Sequence, residues 1–136
     1  MQLVVDTNIL VSFFRENSVR FIIVNSDILG IALFTPEYAI NELKNNEFDV
    51  LKYSKLNSKQ FNKALSELSN FVKVISKESF KQFESQAKQL IHNKDVPIFA
   101  LALKLNCAIW SNEPGFKNQP SVKIFNTEDL RKLLNL

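Results

Sequence analysis

Five short segments rich in apolar residues, at 3–5, 31–34, 72–75, 108–110 and 122–125, the third and fifth each carrying one Lys, are separated by longer amphipathic segments, and this alternation limits the fold more than any other feature. Runs this short, rich in Val, Ile, Leu and aromatic side chains, read as buried strands. The intervening segments repeat their apolar residues at spacings of three and four, as helices with one covered face do. Helices are expected over residues 7–15, 18–28, 36–51, 57–71, 76–92, 96–105 and 126–136. Ser18 and Asp95 are expected to cap the second and sixth of these. Leu130, Leu133 and Leu134 are expected to face inward from the last. Strands alternating with helices predict an α/β fold, a three-layer α/β/α arrangement around a parallel sheet of about five strands.

The chain has 136 residues, enough for a single domain over 1–136 with one core. Two Gly residues exclude the glycine-rich phosphate loops of nucleotide-binding folds. The lone Cys107 excludes a disulfide within the chain and a cysteine-rich zinc site. The lone His92 excludes a two-histidine zinc helix, and its place beside Asn93 suits a helix end. Cys107 and Trp110 adjoin an apolar run and read as packing residues. No run of eighteen apolar residues is present, and the short opening run ends at Asp6, so neither a membrane span nor a signal peptide is expected and a cytoplasmic location follows. The formal net charge of +3 is unevenly spread: residues 44–94 hold ten Lys against five acids. Such a bias permits nucleic-acid binding.

In parallel α/β sheets, ligands bind beyond the carboxyl ends of the strands. Asp6 directly follows the first strand and Glu113 lies three residues beyond the fourth, so both belong to that edge. Asp95 opens the helix leading into the fourth strand, and Glu42 lies in the helix after the second, with Ile40 and Leu43 beside it. Each has an ordinary alternative. Asp6 and Asp95 suit helix N-caps, Glu42 a surface helix and Glu113 a loop. Taken together, four acids from four segments, with neither His nor Cys among them, suit oxygen-only ligation of Mg²⁺ or Mn²⁺ and metal-dependent phosphodiester hydrolysis.

The motifs around these acids resemble the PIN domain family, the fold of VapC-type ribonuclease toxins. An apolar strand followed by Asp6-Thr7-Asn8-Ile9-Leu10 is similar to its opening. Glu42 in Tyr38-Ala39-Ile40-Asn41-Glu42-Leu43, Asp95 before Val96-Pro97-Ile98-Phe99-Ala100, and Glu113 in Trp110-Ser111-Asn112-Glu113 resemble the later blocks, in family order over nearly the whole chain. Two positions depart from the pattern: Glu113 stands where Asp is usual, and Gly115 where many members carry another Asp. The resemblance implies a Mg²⁺- or Mn²⁺-dependent endoribonuclease with Asp6, Glu42, Asp95 and Glu113 as catalytic acids. Asp6, Asp95 and Glu113 would be the metal ligands, and Thr7, Asn8 and Ser111 supporting residues. It also implies RNA as substrate, an antitoxin as partner in a toxin–antitoxin pair, and a homodimer. Lys55, Lys59 and Lys63 recur every four residues and are expected to form a helical stripe, either one beside the acids that holds the RNA backbone or an ordinary solvated helix face.

Two other parallel-sheet families fail on spacing. A receiver domain needs a pair of acids after the first strand, and a haloacid-dehalogenase-like phosphatase needs Asp where Asn8 stands. The remaining alternative is a PIN-like module that binds RNA or protein without cleaving.

Overall fold

Leu3, Val4 and Val5 are all fully buried, although successive side chains of a strand point to opposite faces. Both faces of their strand are therefore covered, as in a central strand of a parallel sheet. The computed structural model describes residues 1–136, the side chain of Asn93 excepted. Its strands are β1 (Gln2–Val5), β2 (Ala32–Pro36), β3 (Val72–Ile75), β4 (Ala108–Trp110) and β5 (Ile124–Phe125). They form one sheet in the order β3-β2-β1-β4-β5, every neighbouring pair parallel. The expected three-layer α/β/α fold is thus present.

The helices are α1 (Thr7–Ser12), α2 (Ser18–Val24), α3 (Glu37–Asn45), α4 (Glu47–Ser54), α5 (Ser58–Leu68), α6 (Glu84–Ala87), α7 (Val96–Leu105) and α8 (Thr127–Leu133). Of these, α7 is the most apolar. Val96, Ile98, Phe99, Ala100, Leu101 and Ala102 are all buried, and the helix packs against β1, β2 and β4. Phe99 meets Phe116 edge-on at 5.0 Å between ring centroids, which ties α7 to the loop after β4. At the sheet's edges β3 exposes Lys73 and Val74, and β5 has only two residues; short or charged edges resist pairing with another chain.

Several helices differ from the sequence expectation. The helix expected over residues 36–51 is two helices, α3 and α4, separated at Asn46. Asn46 leaves helical geometry at φ −104° and ψ 25°, and its side-chain amide donates back to the Glu42 carbonyl at 2.9 Å. Asn competes with the helical ladder in this way. The helix expected over residues 76–92 is two 3₁₀ turns and the short α6. Phe80 adopts φ −127° and is buried, so core packing overrides helical propensity there. The cap of α2 is Asn17, whose side chain accepts from the Arg20 N–H at 2.9 Å, and not Ser18. Helices α1 and α2 also end earlier than expected, at Ser12 and Val24. Leu133 is 53% exposed, while Leu130 faces the core as expected.

The lysine stripe is not a helical face. Lys55 terminates α4 in the left-handed region at φ 63°, and α5 begins only at Ser58 behind a capping box of Asn57 and Gln60. Only Lys59 and Lys63 share a helix.

Because Phe99 is fully enclosed between the sheet and Phe116, Phe99→Ala is expected to lower unfolding free energy by about 3–5 kcal/mol. Equilibrium urea denaturation of the two proteins measures the difference.

Candidate active site

Chain order reverses between β1 and β4: from β1 the chain moves outward to β2 and β3, then returns to add β4 and β5 on the other side. The carboxyl ends of β1 and β4 therefore flank the switch point, where parallel α/β sheets place ligands. Asp6 follows β1, and Ser111, Asn112 and Glu113 follow β4. The Asp6 N–H donates to the Trp110 carbonyl at 3.1 Å, which extends the ladder by one bond and fixes the aspartate at the edge. Above it, the Ser111 hydroxyl donates to Asp6 Oδ2 at 2.8 Å. The same hydroxyl oxygen accepts the Glu113 N–H at 3.0 Å, so one serine positions two acids from neighbouring strands.

Thr7 places the third acid. Its hydroxyl donates to Glu42 Oε1 at 2.8 Å, linking the start of α1 to α3. Asp95 arrives from the turn before α7. Asp6 and Asp95 both stand at helix N-cap positions, yet neither side chain makes the capping hydrogen bond to its helix. The capping explanation open at the sequence level is not realised, and both carboxylates are left to the cleft.

All four acids line a single cleft of about 640 Å³, together with Thr7 and Asn8. Asn46, Asp49 and Tyr53 line it from the α3–α4 side, and Phe116 also contributes to its lining. The sequence reading missed those three α3–α4 residues, although they follow Glu42 at offsets of four, seven and eleven, the spacing of one helical face. It also missed Thr35, a fully buried residue at the end of β2 whose hydroxyl donates to the Val5 carbonyl at 2.9 Å, just before Asp6. Lys94 is the one cation lining the cleft among the described residues; Lys55, Lys59 and Lys63 do not line it.

The electrostatics follow from this crowding. Asp6 is 5% exposed. Burial is the largest influence on its carboxyl, Asp95 and Glu42 push the same way, and the Ser111 hydroxyl opposes them; the pKa rises from 3.8 to about 6. The Asp95 carboxyl is also raised, first by burial and then by Glu42 and Glu113, with Lys94 acting against the shift. The Tyr38 phenol, beside Glu42, is raised by burial and by the charges of Glu42 and Asp95.

Among the described residues, no three acid, His or Cys side chains stand close enough in this conformation to ligate one ion. The donor set fits a hard divalent cation in kind. The acids, hydroxyls and amides of the cleft supply oxygen, with neither His nor Cys in the lining. Burial first, and the neighbouring acids after it, raise the pKa of Asp6 and Asp95, and a bound cation offsets both influences.

Fold and site together define an α/β protein with an acidic cleft at the switch point of its sheet. The chain belongs to the PIN domain family, a family generally of nucleases, whose sequence pattern matches residues 4–134. Among solved structures it is similar to VapBC-1 from nontypeable Haemophilus influenzae, with 20% identity, a TM-score of 0.68 and coverage of 94% of this chain and 99% of that one. It is also similar to FitAcB from Neisseria gonorrhoeae, at 18% identity, a TM-score of 0.67 and coverage of 94% and 99%. A third similar structure is VapBC2 from Rickettsia felis bound to a DNA fragment from their promoter, at 20% identity, a TM-score of 0.64 and coverage of 93% and 98%. These likenesses establish the fold. No curated protein sequence matches the chain.

The raised pKa of Asp6 has a definite sign for stability. Between pH 3.8 and about 6 the folded protein holds a proton that the unfolded chain releases, so stability falls as pH rises through that window and stays lower above it. Asp6→Asn removes this penalty. In metal-free protein, the variant is expected to gain on wild type as pH passes from 4 to 6, by about 3 kcal/mol at most, with the acid contribution absent below pH 4. Melts in chelator across that pH range measure the gap.

Proposed function

We propose that this protein is an endoribonuclease that hydrolyses RNA phosphodiester bonds with Mg²⁺ or Mn²⁺. The supporting observation is that Asp6, Glu42, Asp95 and Glu113, from four separate segments, line one cleft at the switch point. Asp6, Asp95 and Glu113 would hold the ion, directly or through water. A divalent cation bound there lowers the pKa of water and neutralises charge growing on a phosphoryl group. Glu42, held by the Thr7 hydroxyl, is placed to orient the attacking water and take its proton. Ser111 keeps Asp6 and Glu113 in register. Asn8 is exposed in the cleft, where its amide can donate to a phosphate oxygen.

The VapBC likenesses support a toxin role with an antitoxin as protein partner. Exposed apolar side chains fit a protein partner and a homodimer: Phe21 and Val24 on α2 and the 86%-exposed Ile28 just beyond it. Among the described residues no helix is long and apolar enough to cross a membrane, and a cytoplasmic location suits the substrate.

A second reading is a module that binds RNA or protein and cleaves weakly or not at all. It is favoured by the separation of the acids in this conformation, by Glu113 in place of the usual Asp, and by Gly115.

Wild type is expected to cleave RNA with Mg²⁺ or Mn²⁺ and not with chelator. Asp6→Asn and Asp95→Asn should each reduce the rate at least a hundredfold, about 2.7 kcal/mol of lost transition-state stabilisation. Gel assays on a mixed-sequence RNA measure both effects. Wild type that binds Mn²⁺ and never cleaves would favour the module, and full activity in either variant would refute the assignment of the acids. Light scattering at tens of micromolar is expected to give the mass of a dimer; a 15.7 kDa species would count against the homodimer.

A further inference from the structure

A cleft lined by five carboxylates and one lysine repels a polyanion until cations at its rim or bound ions offset that charge. The rim carries such cations on one side. A second groove, of about 430 Å³, opens between α3 and the segment joining α6 to α7, and its lining includes Tyr38, Glu84, Lys88, Ile91, His92 and Lys94. Ile91 and Lys94 line both spaces, so groove and acid cleft are continuous. Tyr38 stands at the junction, in the groove and beside Glu42.

The charge balance of this groove is favourable to an anion. Its one acid, Glu84, faces Lys77 at 3.9 Å, while Lys88 and Lys94 are exposed and without an ion-pair partner among the described residues. Residues 73–94 as a whole hold five Lys against two Glu. The opposite rim, beyond Tyr53, is less available. There Arg20 is engaged with the Phe13 carbonyl at 2.7 Å and Glu16 at 3.4 Å, and the Arg15 guanidinium lies 5.5 Å from the centre of the Tyr53 ring.

We propose that the groove carrying Lys88, His92 and Lys94 is the track for the RNA backbone on one side of the scissile phosphate. It replaces the lysine stripe expected from residues 55–63. The ligand class rests on the nuclease reading above; the location rests on the continuity of the two spaces and on their opposite charge. Flexible ammonium groups on exposed stems bind phosphates without reading bases, so this track contributes affinity and register and no sequence preference.

The test is binding of a fluorescein-labelled, single-stranded 12-nucleotide RNA in EDTA, read by anisotropy over a salt series. Lys88→Ala/Lys94→Ala is compared with wild type and with Lys104→Ala/Lys132→Ala, an equal charge loss at exposed positions outside both spaces. Loss of two phosphate contacts should make the slope of log K against log salt shallower by roughly 1.4 and weaken binding at 0.1 M salt about tenfold or more. The control pair should retain the wild-type slope. Circular dichroism verifies that each variant folds. Equal slopes and affinities for wild type and Lys88→Ala/Lys94→Ala would overturn the track, as would wild type that does not bind the RNA. An effect confined to Lys55→Ala/Lys59→Ala/Lys63→Ala would also overturn it. Cleavage with Mg²⁺ or Mn²⁺ is assayed separately. RNA binding lost with the groove lysines in a protein that never cleaves would sink the nuclease reading and leave the track standing.

Discussion

The hydrogen bond from Ser111 to Asp6 joins the ends of the two central strands, and the remainder of the site depends on it. Burial alone would drive Asp6 toward its neutral form. The hydroxyl offsets part of that cost and fixes which carboxylate oxygen stays free. By also accepting the Glu113 N–H, the serine sets the path of the loop after β4. Thr7 and Thr35 repeat the device on the other side, one holding Glu42 and the other the carbonyl that precedes Asp6. Three hydroxyl groups therefore position an edge that would otherwise be dominated by repulsion.

The scaffold beneath is built to be rigid. Leu3, Val4 and Val5 are covered on both faces, and α7 brings a nearly continuous apolar surface to β1, β2 and β4. The Phe99–Phe116 contact extends that rigidity to the loop bearing Glu113. On the opposite wall the α3–α4 break at Asn46 sets Glu42 and Asp49 on different helices. The cleft thus has one wall fixed by the core and another divided at a single backbone joint.

Much of this was legible in the sequence, for physical reasons. Short apolar segments alternating with longer amphipathic ones read as strands between helices, so sheet and layers followed from pattern, although only the inner strands are covered on both faces. Asp6 and Glu113 followed from the rule that loops at the carboxyl edge carry the site. What escaped the reading was local competition. Asn46 bonds back to Glu42 and divides a helix that periodicity alone would continue. Phe80 leaves helical geometry to reach the core. The lysine stripe was excluded by the sequence itself, since a helix starting at Asn57 or Ser58 cannot include Lys55. The resemblance implied that Ser111 orients a carboxylate or touches a phosphate, but its pairing with Asp6 in particular was not legible, because no spacing rule joins residues so far apart.

That separation, 105 residues along the chain, has a consequence for synthesis. A nascent polypeptide that has completed β1, β2 and β3 already holds Asp6 and Glu42, but it lacks Asp95, Ser111 and Glu113. Closing the pair is a long-range event, the kind that comes late in the folding of parallel sheets. Translation must therefore pass β4 before the cleft exists, and any truncated product ending in the first hundred residues lacks Ser111 and Glu113. In the ribonuclease proposed above, no chain ending before Glu113 would hold the complete set of four acids.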